Sequence, residues 1–353
     1  MRRHFLDNAR GALVLLVVLY HAVYLLNSVG VISNVAIQGV PQLDVLLYLC
    51  YPWFMVCLFA IAGASARYAL ERQDDRAFLR GKLRRVLLPS VAGIFLLGWV
   101  GGLVTLQYSP GVFGAQPEAI PLPLRYLILC TMGIGPLWFL HELFLCDLVL
   151  LLVRRIDRRD ALGRLGARAG MPALLLLGVP VWAAAQVLNT PVIEIYRCGI
   201  YPLSFLLGYS VLAHEPVQAR LARCAPALLA AALALCAAFT ARHWGENYAA
   251  LPVLREPLTN ACAWAGTLAV LSCFRRWLDR ETRFSRRMRR DGFAVFVLHL
   301  PLMVACAWAL DRLCHLPGAA IELLLPVCAA LLLPPLIALI RRTPALRRLI
   351  LGE

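Results

Sequence analysis

Apolar runs of about 20 residues, the length a helix needs to cross a bilayer core, recur along the whole chain, separated by short polar segments rich in arginine. In hydrocarbon only a helix or a closed barrel satisfies its own backbone. The runs predict spans near 11–29, 44–70, 86–107, 124–153, 172–188, 196–213, 225–241, 256–274, 292–312 and 319–340. The fourth is the most irregular, because Pro136 divides it into 124–135 and 136–153, the pattern of a broken or re-entrant element. Prolines at 52, 180, 202, 301 and 326 predict kinks in other spans. The pattern predicts an all-α, polytopic integral membrane bundle of about ten helices, with one domain over 1–353.

Composition agrees with that pattern. The 353 residues are 61% hydrophobic and only 16% charged, where a soluble domain has about 45–50% apolar and about 25% charged residues. The net charge of +15 comes from 35 basic residues, all arginine except Lys82. The amino end, 71–85, 154–171, 214–224, 275–290 and the tail from 341 hold three, six, six, two, eight and four of them, 29 in all. The intervening segments 30–42, 109–123, 189–195 and 313–318 hold none, and 241–255 holds only Arg242 and Arg255. This alternation is the positive-inside pattern, which predicts both termini in the cytoplasm and an even number of spans. It is not the basic face of a nucleic-acid reader, so membrane lipids and no nucleic acid are expected as partners. The first apolar run is too long for a signal-peptide core and is read as a retained helix. The twelve cysteines form no C-x-x-C pair and no Cys/His zinc spacing, so no metal is expected.

Ionisable groups at membrane depth are functional candidates by default. His21 lies inside the first apolar run, and Arg10 precedes it by eleven residues. That is close to three helical turns, so both fall on one face about 16 Å apart. Asp7 extends the same stripe if the helix starts early. An imidazole at that depth is a proton acceptor near neutral pH; an interhelical hydrogen bond is the simpler alternative. Arg10 also fits a topology anchor. His299 has a similar expected depth, although Pro301 frees a backbone carbonyl that it could bond instead. His141 and Glu142 enter from the opposite side, Glu142 at a depth near that of His21, and a carboxylate that orients a histidine is a recurring general-base arrangement. The run Arg80-Gly-Lys82-Leu-Arg84-Arg85 suits either lipid headgroups or a clamp for the phosphates of a donor. His4, His214, His243 and His315 read as surface residues, and the outside loop 109–123 as the one to shape an acceptor site.

Together these residues resemble the membrane acyltransferase 3 family, whose members acylate sugars and other acceptors from acyl-coenzyme A. The first-helix signature reads Leu6-Asp7-Asn8-Ala9-Arg10 and then His21. The helix-two Phe-Phe-x-x-Ser-Gly motif is similar to Phe59-Ala60-Ile61-Ala62-Gly63, with alanine in the serine slot. Lys82-Leu83-Arg84-Arg85 before Pro89 resembles the Arg-x-x-Arg motif, with lysine first. Leu137–Leu140 matches Leu-Trp-Phe-Leu, and Phe296–Pro301 matches the late Tyr-Leu-x-His-x-Pro element. The early Phe-Leu-Asp and the proline spacing are similar to the branch that acylates periplasmic glucans.

The resemblance implies an O-acyltransferase that moves an acetyl or succinyl group from acyl-coenzyme A, a co-substrate, most simply acetyl-coenzyme A, to a sugar or glycan hydroxyl in the cell envelope. His21 would be the base, with Arg10, Asp7, Glu142 and His299 in the catalytic set. Lys82, Arg84 and Arg85 would hold the donor, and Trp138 and His141 the acceptor. Richness in arginine and alanine points to a bacterial source and so to the inner membrane. The rival reading is a proton-coupled transporter or flippase of an anionic or glycolipid substrate; no internal repeat of the kind many transporters carry is present.

Overall fold

The computed structural model describes residues 4–114, 120–189 and 196–353. Arg2 and Arg3, part of the 109–123 loop and nearly all of 189–195 lie outside the described residues. Among the described residues every named element is helical. Seven helices are long and apolar enough to cross a membrane: α1 (His4–Leu25), α2 (Val45–Leu70), α3 (Asp75–Tyr108), α9 (Ala225–His243), α10 (Pro257–Trp277), α11 (Arg283–Arg312) and α12 (Gly318–Arg342).

An eighth span is the pair α4 (Leu122–Met132) and α5 (Leu137–Ile156), bent by 82°. The bend falls where the sequence expected it. Gly135 takes a φ of +47°, open to glycine at little cost, and Pro136 follows without an N–H to continue the α4 ladder. The expected spans 172–188 and 196–213 fold as the shorter α6 (Met171–Ala184) and α7 (Ile200–Leu212). At 1.5 Å per residue each is about 20 Å long, less than a bilayer core. Two amphipathic helices, α8 (Glu215–Arg223) and α13 (Pro344–Leu351), complete the main elements.

α1 starts and stops earlier than its apolar run suggested. Its last carbonyls are taken by side chains that end the helix: Asn27 Nδ2 donates to Tyr24 O at 2.8 Å, and Ser33 Oγ to Leu25 O at 2.8 Å. His21 therefore lies one turn before the end of α1. Within α3, π-helical turns at Leu83–Leu87 and Ile94–Gly98 interrupt the α geometry. The first of them precedes Pro89, whose ring would crowd the carbonyl of Arg85 in a regular helix, and the wider turn makes room for it.

Two compact units divide the chain. The first comprises Met1–Leu13, Tyr48–Leu83 and Glu142–Arg290. In it α9 and α8 pack on α10, and α2 crosses α7 with a glycine on each side. A Cβ on Gly63 would stand 1.8 Å from the Phe205 carbonyl oxygen, and one on Gly208 2.0 Å from that of Ala60. Small residues thus bring the two backbones together, the usual basis of helix packing in membranes, and this accounts for the glycine that closes the helix-two motif. Tyr48 is fully buried, and its hydroxyl donates to Glu246 O at 2.7 Å while accepting from Gly245 N at 3.0 Å.

The second unit comprises Val14–Leu47, Arg84–His141 and Asp291–Glu353. Here α3 and α4 approach through Gly98 and Gly133. The connection after α1 is tied by Ser28 Oγ to Asp44 at 2.5 Å, Asn34 Nδ2 to Thr105 at 2.9 Å and Val40 N to the buried Glu322 at 2.6 Å. α13 packs on the Leu88–Gly93 turn of α3, and Arg341 pairs with Asp291 at 2.6 Å and Glu353 at 2.7 Å.

Candidate active site

The second unit brings His21 and His299 together. His299 Nε2 stands 3.1 Å from His21 Nδ1, and the ring centroids are 5.0 Å apart. Each ring is also held by its own helix: His21 Nδ1 is 2.8 Å from Val17 O, and His299 Nδ1 is 3.0 Å from Val295 O. A carbonyl only accepts, so both Nδ1 atoms carry the proton in the neutral rings. The Nδ1 proton of His21 then lies between Val17 O and the lone pair of His299 Nε2. Nε2 of His21 keeps its own lone pair, and no hydrogen bond to it occurs among the described residues. This is the arrangement of a general base whose second nitrogen is oriented by a neighbour, with a histidine in the orienting place.

Aromatic rings enclose the pair. Tyr20 and Tyr24 meet His21 edge-on at 5.4 and 5.6 Å, and Phe296 lies 6.0 Å from His299. Phe139 packs on Phe296 at 5.3 Å and on Trp138 at 6.3 Å, so the Leu-Trp-Phe-Leu element reaches the histidines through one aromatic chain. Trp138 is buried and His141 half-buried at the start of α5.

The first unit holds Arg10 and Asp7. Arg10 opens onto a cavity of about 540 Å³, also lined by Ser65, Arg67, Arg72, His214 and Glu215. Its Nη2 donates to Ser65 Oγ at 2.6 Å. Asp7 lines the same cavity, 3.8 Å from Arg289. Arg67 is paired with Asp160 at 2.6 Å, and Glu215 with Arg275 at 2.5 Å. Burial, and then the charge of Arg67, hold His214 below its ordinary value, so its ring is neutral at pH 7.

Glu142 and Lys82 have other engagements in this unit. Glu142 is buried, with Oε2 3.6 Å from Cys198 Sγ and, among the described residues, no hydrogen bond to Oε1. Lys82 Nζ sits 3.0 Å from Asp147, a carboxylate with no exposed surface, and 4.9 Å over the Phe78 ring. Arg84 and Arg85, in the second unit, are exposed on the π-helical turn. The donor-clamp expectation thus meets one residue already neutralised and two that are open.

Sequence reasoning missed Ser65, Asp147 and Cys198. Asp147 carried a signal, being a carboxylate deep in an apolar run; Ser65 and Cys198 carried none, because both types sit unremarkably in membrane helices.

No curated protein and no solved structure matches the chain. The acyltransferase-domain family model of acyltransferase 3 matches residues 3–340. With at least seven helices able to cross a membrane and a match over nearly its whole length, the chain belongs to the acyltransferase 3 family: it is a multi-pass integral membrane acyltransferase that transfers groups other than aminoacyl groups.

Proposed function

We propose that this acyltransferase moves an acetyl or succinyl group from acyl-coenzyme A to a hydroxyl of a sugar or glycan in the cell envelope, working in the bacterial inner membrane with its donor on the cytoplasmic side. The observation that carries the reading is the free Nε2 lone pair of His21, fixed in direction by Val17 O and His299. His21 Nε2 takes the acceptor proton as the hydroxyl oxygen attacks the thioester carbonyl. The new C–O bond forms, the C–S bond breaks, and the departing thiolate takes the proton back from His21. The imidazolium formed in between donates its Nδ1 proton to His299 Nε2, which steadies the charge without a buried carboxylate.

Arg10 precedes His21 on the same continuous helix and holds the donor, and the basic charge of Arg84 and Arg85 draws it in. The aromatic chain through Trp138 and Phe139 presents flat apolar faces suited to a sugar ring, with His141 beside them.

The test is release of coenzyme A thiol from acetyl-coenzyme A by purified protein supplied with envelope glycan. His21→Ala loses a factor of about 10²–10⁴ in turnover, the range of a general base. Wild-type turnover in a folded His21→Ala variant would overturn the assignment.

A further inference from the structure

The first-unit cavity contains more arginine than it leaves available. Arg67 is occupied by Asp160. Of the lining carboxylates Asp7, Glu71 and Glu215, Asp7 lies 3.8 Å from Arg289 and Glu215 pairs with Arg275 at 2.5 Å. Among the described residues Arg10 makes no ion pair, and its one side-chain hydrogen bond goes to the neutral hydroxyl of Ser65. That hydroxyl is itself fixed: it donates to Ile61 O at 2.7 Å, so its proton points along α2 and a lone pair faces Arg10. A serine bonded in this way cannot turn its proton toward the guanidinium. It acts as an acceptor only and brings no charge to Arg10; the charge that bears on the guanidinium is that of Asp7, in the same cavity lining.

Ser65 lies one helical turn beyond Ala62, the position where the helix-two motif would carry a serine, and on the same side of α2. We propose that Ser65 is a positioning residue for Arg10: it holds the guanidinium on the cavity wall in the orientation that binds the anionic end of the donor. The inference rests on the proposed function in taking acyl-coenzyme A as that donor. A carboxylate in place of Ser65 would neutralise Arg10, as Asp147 does Lys82; an alanine would leave a long side chain free to turn away.

The experiment is acetyl-coenzyme A binding to the full-length detergent-solubilised protein by calorimetry, with thermal melting as the check on folding. Ser65→Ala weakens binding about tenfold, the effect of one charge-assisted hydrogen bond, while the melting temperature stays within a degree or two. Ser65→Thr, which keeps the hydroxyl, restores affinity to within about twofold. In an Arg10→Ala background Ser65→Ala has no further effect, because the two residues act as one unit. If Ser65→Ala folds poorly, Ser65→Cys keeps the volume with a weak acceptor and takes its place. Weakened binding in Arg10→Ala with unchanged binding in Ser65→Ala overturns the positioning role alone. Unchanged binding in Arg10→Ala overturns the donor reading, and the inference with it.

Discussion

Two pairs of ionisable side chains in this acyltransferase, each with one fully buried member, have opposite characters. In the first unit Lys82 and the fully buried Asp147 neutralise each other at 3.0 Å. In the second unit His21 and His299 meet at 3.1 Å with no charge to neutralise. The first pair spends its capacity on itself, since a carboxylate without exposed surface is tolerable only while its counter-ion stays. The histidines bond to their own helix carbonyls and to each other and still leave one lone pair over. Depth in an apolar run pointed to the histidines and passed over Asp147, and only the histidine pair has chemistry to offer. What separates them is whether the partners cancel.

The sharpest break of this comparison is to remove one member of the charged pair. Lys82→Ala leaves Asp147 buried and alone, and stability falls by about 3–5 kcal/mol, read as a large drop in melting temperature. The double replacement Lys82→Met with Asp147→Leu recovers most of that loss, because two apolar side chains need no compensation. A single Lys82→Ala that melts like wild type would show that the pair is not the structural clasp described.

A smaller effect is expected at the histidines, and on turnover instead of stability. His299→Ala removes the acceptor that orients His21 and lowers turnover about 10–100-fold, the usual cost of losing a group that orients a functional imidazole. Melting temperature and donor affinity stay close to wild type. His299→Gln, which keeps an acceptor oxygen, recovers part of the rate. Loss of stability without loss of turnover would turn His299 into glue between helices.

The mildest effect belongs to Arg84 and Arg85, which are exposed and for which no ion pair with a buried carboxylate occurs among the described residues. Replacing both with alanine changes stability by less than about 0.5 kcal/mol, as for ordinary surface positions. The Michaelis constant for acetyl-coenzyme A rises a few-fold, more at low salt than at high. A collapse in stability would place them with Lys82.

Much of this was legible beforehand. The bend at Pro136, the seven long apolar helices and the shared depth of His21 and His299 all follow from rules that act along a single helix: apolar run length, proline, and rise per residue. The partners were not legible. Ser65 meets Arg10 across 55 positions and Asp147 meets Lys82 across 65, and such pairings depend on how helices are rotated against one another. That rotation is set partly by glycine crossings such as Gly63 with Phe205, where backbone approach decides which faces meet. The shortness of α6 and α7 was also hidden, because a run of apolar residues does not reveal where helical geometry stops.

The hydrogen bond from His21 to Val17 has one further consequence. The imidazole is aimed by the carbonyl four residues back in its own helix, so the direction of the ring is a matter of helical phase. An alanine inserted between Val17 and His21 would remove no functional group and would swing the ring by about 100° around the axis of α1. If His21 is the base proposed above, the insertion abolishes turnover while every side chain keeps its identity, because the aim of the ring is set by the number of residues in one turn.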